Sequence, residues 1–256
     1  FKQKTAYEIS TRDWSSDVCS SDLYTVRPRR AREEKPKVSA FTSAKIQKIL
    51  DLKPDCVLGF SDMQADVASE LIRKGVQVTV FNQRSVHEIF SVLQQIAALV
   101  GCSETAAPWL QTVGTHLEAA EEASAHWPRR PRVYFEEWDE PAISAIRWVS
   151  ELMRMAGGDD CFPELAGQSM GRDRILADLQ TVVQRNPDII IGSWCGKKFR
   201  PEKVAARPGW EAVSAVRDGE LHEIKSCDIL QPGPAALTDG FAQLQRIFQS
   251  WQARHG

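Results

Sequence analysis

The stretch KILDLKPDCVLGFSD, residues 48–62, decides the fold of this chain. Its first residues carry apolar side chains at helical spacing, and Pro54 then ends the helix, because the residue before a proline is kept out of the α region. The apolar run that follows is typical of a buried strand in a parallel sheet. The stretch therefore predicts a helix, a Pro-Asp turn and a buried strand in direct succession.

The same pattern occurs a second time in the chain. Residues 45–62, KIQKILDLKPDCVLGFSD, align without a gap on residues 178–195, DLQTVVQRNPDIIIGSWC, at a constant offset of 133 residues. The aligned pairs include Pro54-Asp55 with Pro187-Asp188 and Gly59 with Gly192. We expect each glycine to let the backbone turn sharply at the end of its strand. An internal repeat of this kind predicts two similar α/β lobes.

The segments around the repeat complete these lobes. A helix and a strand after residue 62 form a βαβ unit, whose strands are parallel. Nearly continuous helical periodicity then predicts a long connector. The second lobe starts afresh with a strand, and a closing amphipathic helix ends the chain. The predicted ranges are 63–75 and 76–81 for the first lobe, 85–101 and 104–127 for the connector, and 132–138, 144–158, 219–225 and 233–256 for the second lobe.

Composition excludes several classes of protein. A net charge of −2 gives no general attraction to nucleic acid, and no apolar run approaches the ~20 residues that span a bilayer. The five histidines do not cluster, and no GxSxG motif marks a nucleophilic serine. Apart from Cys19, the cysteines lack metal-ligand spacing: Cys56, Cys102, Cys161, Cys195 and Cys227. We therefore predict no metal site and no catalytic residue.

The first 23 residues have a different character. They lack any apolar period, and they back-translate to an adapter and index primer of sequencing libraries. We interpret Phe1–Leu23 as a non-native segment that packs against nothing, the alternative being a natural polar tail. The natural sequence then begins at Tyr24, within the protein, with its start methionine and any targeting signal upstream. The predicted domains are 24–84 for an incomplete N-terminal lobe, 85–130 for the connecting backbone helix and 131–256 for the C-terminal lobe.

Ligands of open α/β sheets bind beyond the carboxyl ends of the strands. Five segments follow predicted strands in this way: FSDMQ (60–64), NQRS (82–85), EEWDE (136–140), SWCGKKFR (193–200) and SCDILQPGP (226–234). We expect Phe60, Glu137, Trp138 and Trp194 to share one pocket. The full set of predicted ligand-binding residues is Phe60, Asp62, Arg84, Glu137, Trp138, Trp194, Cys195, Asp228 and Pro232.

Each of these residue types has an alternative interpretation. Aromatic rings at strand ends stack on a flat ligand, or they are part of the core. Glu137 accepts hydrogen bonds from ligand amides, or it is solvated, or it forms an acid/base pair with Asp139 as in glycosidases. The Cys195 thiolate coordinates a metal in the ligand, or it is a spectator thiol in a glycine loop. The basic residues after it meet a ligand phosphate or carboxylate, or they form a solvated loop.

The chain from Tyr24 onward resembles the helical-backbone substrate-binding proteins of ABC importers, which serve vitamin B12, siderophores and haem. The resemblance rests on four stretches and their order, and it is closest to the cobalamin-binding branch. It implies two Rossmann-like lobes of the class III type, a rigid backbone helix and a cleft between the lobes. The four stretches are KILDLKPDCVLGFSD, RVYFEEWDEPAISAIRWVSELMRMAGGDD, NPDIIIGSWCGKKFRPEKV and PGWEAVSAVRDGELHEIKS.

The resemblance also implies a function and its partners. The protein would capture a corrinoid or a related metal chelate outside the cytoplasm, in the periplasm or anchored to the membrane, and deliver it to an ABC permease with its ATPase. It would be a monomer without a cofactor of its own and would not be an enzyme. The alternative is an α/β enzyme that acts through the loops EEWD and SWCGKK.

Two features depart from this family. Its members begin with a strand and a helix that this chain lacks, which would leave the first lobe truncated, with an unpaired sheet edge. In the family each lobe also presents a surface glutamate to the permease, and the repeat puts those positions at Gln47 and Gln180. We expect both glutamines to be exposed on one face of the molecule, unless nearby acids such as Asp51 or Asp178 serve for docking.

Overall fold

The structure, a computed structural model, describes residues 33–40 and 43–255. Residues Phe1–Leu23, for which the sequence predicted no packing, lie outside the described part. The mixed α/β class predicted from the sequence is confirmed. The strands are β1 Ser39–Ala40, β2 Ser43–Ala44, β3 Val57–Phe60, β4 Val78–Phe81, β5 Arg132–Asp139, β6 Ala142–Ser144, β7 Asp159–Asp160, β8 Ile189–Gly192 and β9 Leu221–Glu223.

The α-helices alternate with these strands along most of the chain. They are α1 Ile46–Asp51, α2 Ala65–Arg73, α3 Val86–Leu99, α4 Ser103–Ala125, α5 Arg147–Met155, α6 Pro163–Ala166, α7 Gln180–Arg185, α8 Pro201–Ala205, α9 Ser214–Arg217, α10 Ser226–Ile229 and α11 Phe241–His255. Short 3-10 turns lie at Asp62–Gln64, Gly171–Arg174 and Trp210–Ala212, and a π-helical turn at Ala236–Gly240. Among the described residues, no helix combines the length and the apolar character needed to cross a bilayer.

The described residues form two compact units. The first contains the described residues up to Gln83 together with Phe90–Ala107, and the second contains Arg84–Ile89 and the residues from Pro108 onward. Each unit has its own sheet and its own core. The domain boundaries given from the sequence stay a prediction.

The first unit contains the predicted βαβ crossover. Strands β3 and β4 pair in parallel, with Val57 opposite Val78 and Phe60 opposite Phe81, and α2 connects them. Buried Ile49 of α1 and Leu71 of α2 belong to one hydrophobic cluster, so these two helices cover a common core. Phe81 belongs to a second cluster, with Val92 and Ile96 of α3 and the partly buried Leu58. The helix, the turn and the strand predicted for residues 48–62 are therefore present, but the strand is only partly buried and not buried as predicted.

The sheet of the second unit has the order β6-β5-β8-β9, with β7 also paired to β5. Strand β5 runs parallel to β7 and β8 and antiparallel to β6. Ile189, Ile190 and Ile191 of β8 are all fully buried, as expected for a central strand that is covered on both faces. This sheet brings the carboxyl ends of β5 and β8 together, because Glu136 lies opposite Gly192.

Both copies of the repeat end their helix in the same way. Lys53 after α1 and Asn186 after α7 have positive φ angles of 50° and 41°, and a Pro-Asp pair and a strand follow each. Asparagine adopts this left-handed conformation more readily than most residues, and the Oδ1 atom of Asn186 also accepts a hydrogen bond from the Ser214 amide at 2.8 Å. The repeat seen in the sequence is therefore also a repeat of backbone geometry.

The predicted helical connector consists of two helices. Helix α3 ends at Leu99, and Gly101, with φ of 73°, separates it from α4. At the start of α3, the Glu88 amide donates to Ser85 Oγ at 3.2 Å and the Ser85 amide donates to Glu88 Oε2 at 3.1 Å. This reciprocal pair is a capping box, which satisfies amides that the first helical turn leaves without partners.

Candidate functional site

The best candidate site of the second unit lies at the carboxyl ends of β5 and β8. Strand β5 ends with Glu136, Glu137, Trp138 and Asp139, and the loop 193–200 follows directly after β8. Strand residues alternate between the faces of a sheet, so consecutive side chains of β5 have different surroundings. We call Glu136, Glu137, Trp138, Asp139, Arg174, Trp194, Lys197 and Arg207 the strand-end cluster.

Glu136 is the buried centre of this cluster. Its carboxylate accepts hydrogen bonds from Tyr134 Oη at 2.9 Å and from Trp194 Nε1 at 3.0 Å. The guanidinium of Arg207 binds the same carboxylate through two nitrogens, at 2.6 and 3.0 Å. Burial raises the pKa of the Tyr134 hydroxyl well above its usual value, and the neighbouring Glu136 charge raises it further. Glu136 therefore fixes the positions of three side chains by an internal network.

Glu137 points away from Glu136 and pairs with a different arginine. Arg174 donates from its two terminal nitrogens to the two Glu137 oxygens, at 2.6 and 3.2 Å. The Arg174 side chain is 1% exposed and that of Glu137 is 23% exposed. Arg174 also donates to the Ser144 carbonyl, which ties the 3-10 turn at Gly171–Arg174 to β6. The Glu137 side chain thus remains partly open to solvent beside a buried cation.

Trp138 is half-buried, and a lysine from the loop after β8 covers its ring. The Lys197 Nζ atom lies 4.0 Å from the centroid of the Trp138 ring and 5.5 Å from that of Trp194. Lys197 also forms an ion pair with Asp139. Burial raises the pKa of the Asp139 carboxyl, but the bonds from Lys197 and from backbone amides outweigh that effect and lower it overall. The two predicted tryptophans are therefore brought together around one ammonium group.

Trp194 belongs to the core of the second unit. It is 4% exposed, and its ring packs edge-to-face on Phe199 with centroids 5.0 Å apart. Of the two interpretations given for this ring, core packing is the one that the structure shows. A Cβ atom at Gly192 would overlap the Phe199 ring, and Gly192 is not among the residues with positive φ. Close packing, and not the sharp turn predicted from the sequence, accounts for glycine there.

The remaining predicted residues of the second unit lie in several places. Cys195 is an exposed free thiol in the loop after β8. Asp228 in α10 is buried, and its carboxylate accepts from Gln243 Nε2 at 3.1 Å and from Cys227 Sγ at 3.5 Å. Pro232 is buried just beyond α10, and the half-buried Arg84 precedes the capping box of α3. These residues do not belong to the strand-end cluster.

Phe60 and Asp62 lie at the carboxyl end of β3 in the first unit. Phe60 is half-buried, and its amide donates to Gln64 Oε1 at 2.9 Å. Asp62 is exposed and accepts from Ser61 Oγ at 2.7 Å. The common pocket of Phe60 with Glu137, Trp138 and Trp194 stays a prediction. Gln47 and Gln180 are both exposed, as predicted, and their placement on one face of the molecule also stays a prediction.

The described residues contain no metal-ligand group, and the second unit has an apolar groove apart from the strand-end cluster. Among residues 33–40 and 43–255, no group of three or more His, Cys, Asp or Glu side chains is arranged to hold a metal ion. An apolar groove of about 320 Å³ lies in the second unit, and none of the predicted ligand-binding residues lines it. Its lining is His116, Ala119, Ala120, Ala123, Trp127, Ala156, Gln245 and Gln249.

The basic partners of the strand-end carboxylates are not apparent from the sequence. Arg174 and Arg207 lie 37 and 71 residues along the chain from the glutamates that they bind, outside any strand-end motif. Nothing in their local sequence marks them. Lys197 belongs to the basic loop that the sequence predicted beside Cys195, but the pattern did not identify Asp139 or Trp138 as its partners.

The sequence of this chain is similar to that of known proteins. A family model described as periplasmic binding protein matches residues 15–226. The chain is 22% identical to a vitamin B12-binding protein of Vibrio vulnificus strain YJ016 over 214 residues, which cover 81% of this chain and 74% of that protein.

Solved structures share the fold. The periplasmic vitamin B12 binding protein BtuF of Vibrio cholerae superposes with a TM-score of 0.69 at 18% identity, covering 95% of this chain and 96% of that one. IsdE of S. aureus complexed with heme gives a TM-score of 0.71 at 15% identity, with coverages of 93% and 97%. Two of these three proteins are described as vitamin B12-binding proteins, and the third is complexed with heme.

Proposed function

Because the chain belongs to the periplasmic binding protein family, we propose that it is an extracytoplasmic solute-binding protein that captures a corrinoid or a related metal chelate. The cargo is the chelate itself, and the protein needs no cofactor of its own. It acts as a monomer and delivers the chelate to an ABC permease with its ATPase. An enzyme acting through the loops EEWD and SWCGKK is not favoured, because the carboxylates of EEWD are held in ion pairs.

One observation carries this proposal: the half-buried ring of Trp138 lies at a strand end among polar groups that can orient a ligand. Lys197 approaches that ring at 4.0 Å, and the partly exposed Glu137 carboxylate is the preceding residue of the strand. A flat macrocycle can pack its face or edge against an indole, while polar groups contact its side chains. Metal chelates of the corrinoid and haem types have this combination of flat ring and polar rim.

The relatives support the same class of ligand. The similar curated protein is a vitamin B12-binding protein, and the solved structures of similar fold include a vitamin B12-binding protein and a protein complexed with heme. At these identities the solved structures support the fold and not the choice among chelates. We choose the corrinoid because two curated proteins of similar sequence are vitamin B12-binding proteins.

Binding can be tested with the purified chain and cyanocobalamin. The complex should retain the red colour of the corrinoid through gel filtration, and tryptophan fluorescence should be quenched on titration. Trp138→Ala should raise the dissociation constant about thirtyfold or more, since a buried aromatic anchor typically contributes about 2 kcal/mol or more. Trp138→Phe should retain most of the affinity.

The matched control is Lys198→Ala, which changes an exposed residue next to Lys197 and should leave the affinity unchanged. Circular dichroism of each variant separates a loss of binding from a loss of folding. If neither cyanocobalamin nor hemin binds to the folded chain, the proposed function is wrong. If Trp138→Ala binds as tightly as the parent chain, the site is elsewhere.

A further inference from the structure

The strand-end cluster pairs its charges one to one. Glu136 binds Arg207, Glu137 binds Arg174, and Asp139 binds Lys197. Every acidic residue of strand β5 beyond Tyr134 thus has a basic partner of its own. The next carboxylate, that of Glu140, lies exposed on the turn to β6. The cluster around Trp138 therefore presents no surplus of positive charge.

This arrangement limits what the cluster can attract. Arg174 and Arg207 are committed to two-pronged contacts and are 1% and 15% exposed, so neither is available to a ligand carboxylate. Lys197 is the accessible cation at the Trp138 ring, with a side chain 39% exposed, and Asp139 neutralises it. A ligand carboxylate that approached Lys197 would also approach its ion-pair partner Asp139, and like charges at short distance disfavour binding.

The same carboxylates remain able to accept hydrogen bonds. A carboxylate has about four lone-pair sites on its two oxygens, and Arg174 occupies one site on each oxygen of Glu137. The Glu137 side chain is 23% exposed, so the lone-pair sites that Arg174 leaves are the ones that a ligand donor would use. An amide N–H of a ligand is a suitable donor for such an oxygen, because its hydrogen bond to a charged acceptor is strong and needs no opposite charge on the ligand.

We propose that the strand-end cluster selects a chelate whose rim carries uncharged amides over one whose rim carries carboxylates, and that Asp139 determines this selectivity by neutralising Lys197. This inference rests on the proposed function and narrows its ligand class. Glu137 acts as the acceptor for ligand amides. Asp139 acts through Lys197 and is therefore a positioning and charge-balancing residue.

The direct test compares two ligands with the same ring. Dicyanocobinamide carries amide side chains, and dicyanocobyrinic acid carries carboxylates in their place. Titration of the chain with each, at pH 7 and low salt, should give an affinity at least about tenfold higher for the amide form. Added salt should narrow the gap, since screening weakens repulsion between exposed charges.

Variants of the Lys197 pair test the role of Asp139. Asp139→Asn leaves Lys197 without its counterion, so binding of the acid form should improve about five- to tenfold while binding of the amide form changes little. Asp139→Asn combined with Lys197→Met should remove that gain. The control Lys198→Met changes the neighbouring exposed lysine and should not alter the ratio of the two affinities.

The outcomes separate this inference from the proposed function. The proposed selectivity is wrong if the acid form binds as tightly as the amide form. It is also wrong if folded Asp139→Asn shows the same ratio of the two affinities as the parent chain. In both cases the chain remains a chelate-binding protein. If the parent chain binds neither corrinoid nor hemin, the proposed function fails and the inference fails with it. If hemin binds and both corrinoids do not, the amide preference is likewise overturned.

Discussion

Glu136 shows how a single residue sets the character of the site. It is fully buried, and a charge in such a position is tolerated only when it is paired and hydrogen-bonded. Four bonds from Tyr134, Trp194 and Arg207 meet this condition. Burial disfavours the Arg207 cation, but its bond to Glu136 outweighs this and raises the arginine pKa above its usual value. The Arg207 guanidinium therefore keeps its charge over the ordinary range of pH.

Replacing Glu136 by glutamine should destabilise the protein strongly. The amide keeps the shape of the side chain, but one oxygen becomes an NH₂ group that faces donors, and Arg207 loses its counterion. Removal of one partner of a buried ion pair typically costs about 3–5 kcal/mol. Urea unfolding should show a loss of that size for Glu136→Gln. The exposed Glu211→Gln is the control, and a loss below about 1 kcal/mol for Glu136→Gln would contradict the buried-pair argument.

The repeated element shows what the sequence pattern could and could not predict. The helix, the Pro-Asp turn and the strand are predictable because they depend on local spacing and on proline geometry. The role of the aspartate in that turn cannot be predicted from the pattern, because its hydrogen-bond partners lie elsewhere in the chain. Asp188 is buried and accepts from the Arg132 amide at 2.8 Å and from Arg129 Nη2 at 2.6 Å, whereas its counterpart Asp55 is exposed.

Asp188 and Asp55 can be compared directly, because they occupy aligned positions of the repeat and differ in burial. Asp188→Ala should lower the free energy of unfolding by about 2 kcal/mol, because it removes hydrogen bonds to a charged group that hold the start of β8 to the start of β5. Asp55→Ala, at the aligned position, should change it by no more than about 0.5 kcal/mol, as for most exposed sites. Chemical denaturation of the two variants measures these changes. Equal losses in the free energy of unfolding would show that the burial of Asp188 does not make it more important than Asp55.

The capping box of α3 should make stability depend on pH. Hydrogen bonds from the Arg84 and Ser85 amides lower the pKa of Glu88, and they outweigh the opposing effect of burial. A carboxylate with a lowered folded pKa stabilises the protein fully above its unfolded pKa of about 4.3, and the contribution disappears as pH falls through the folded pKa. Glu88→Gln should therefore cost about 0.5–1 kcal/mol at pH 7 and almost nothing near pH 2.

Unfolding curves at both pH values test this expectation. The control is Glu118→Gln, which changes an exposed carboxylate in the interior of α4, away from a helix terminus. Its effect should be small at either pH. A cost for Glu88→Gln that is the same at both pH values would assign the stabilisation to side-chain packing instead of charge.

For the molecule as a whole, the sequence predicted architecture better than chemistry. Buried strands such as Ile189–Gly192 and amphipathic helices follow from periodicity. The carboxyl ends of β5 and β8 mark the sheet edge at which we expect a ligand to bind. The partners Arg174 and Arg207 were not predictable, because loops without a regular period bring them to the strand ends. The sequence likewise placed Trp194 at a strand end but could not show that its indole is directed into the core.

The proposed interaction with a permease belongs to the scale of the whole molecule, and the repeat predicts which residues take part. Gln47 lies in α1 and Gln180 begins α7, so each unit presents one exposed glutamine on the helix before its Pro-Asp turn. Gln47 Nε2 donates to Asp51 at 2.8 Å, and Gln180 Nε2 donates to the Pro208 carbonyl at 3.2 Å. With their NH₂ groups used in this way, the side-chain carbonyl oxygens are suited to accept from an arginine of the permease.

The double variant Gln47→Ala with Gln180→Ala should therefore weaken ATP-driven uptake without changing ligand affinity. A neutral acceptor binds arginine less strongly than a carboxylate does, so each glutamine should contribute about 1 kcal/mol, and the pair should shift the concentration for half-maximal uptake about tenfold or more. Uptake into vesicles that contain the permease and its ATPase measures this, with the exposed Gln184→Ala as control. Restoring the charge with Gln47→Glu and Gln180→Glu should strengthen docking if the permease presents arginines. Unchanged uptake by the double alanine variant would instead assign docking to neighbouring acids such as Asp51 and Asp178.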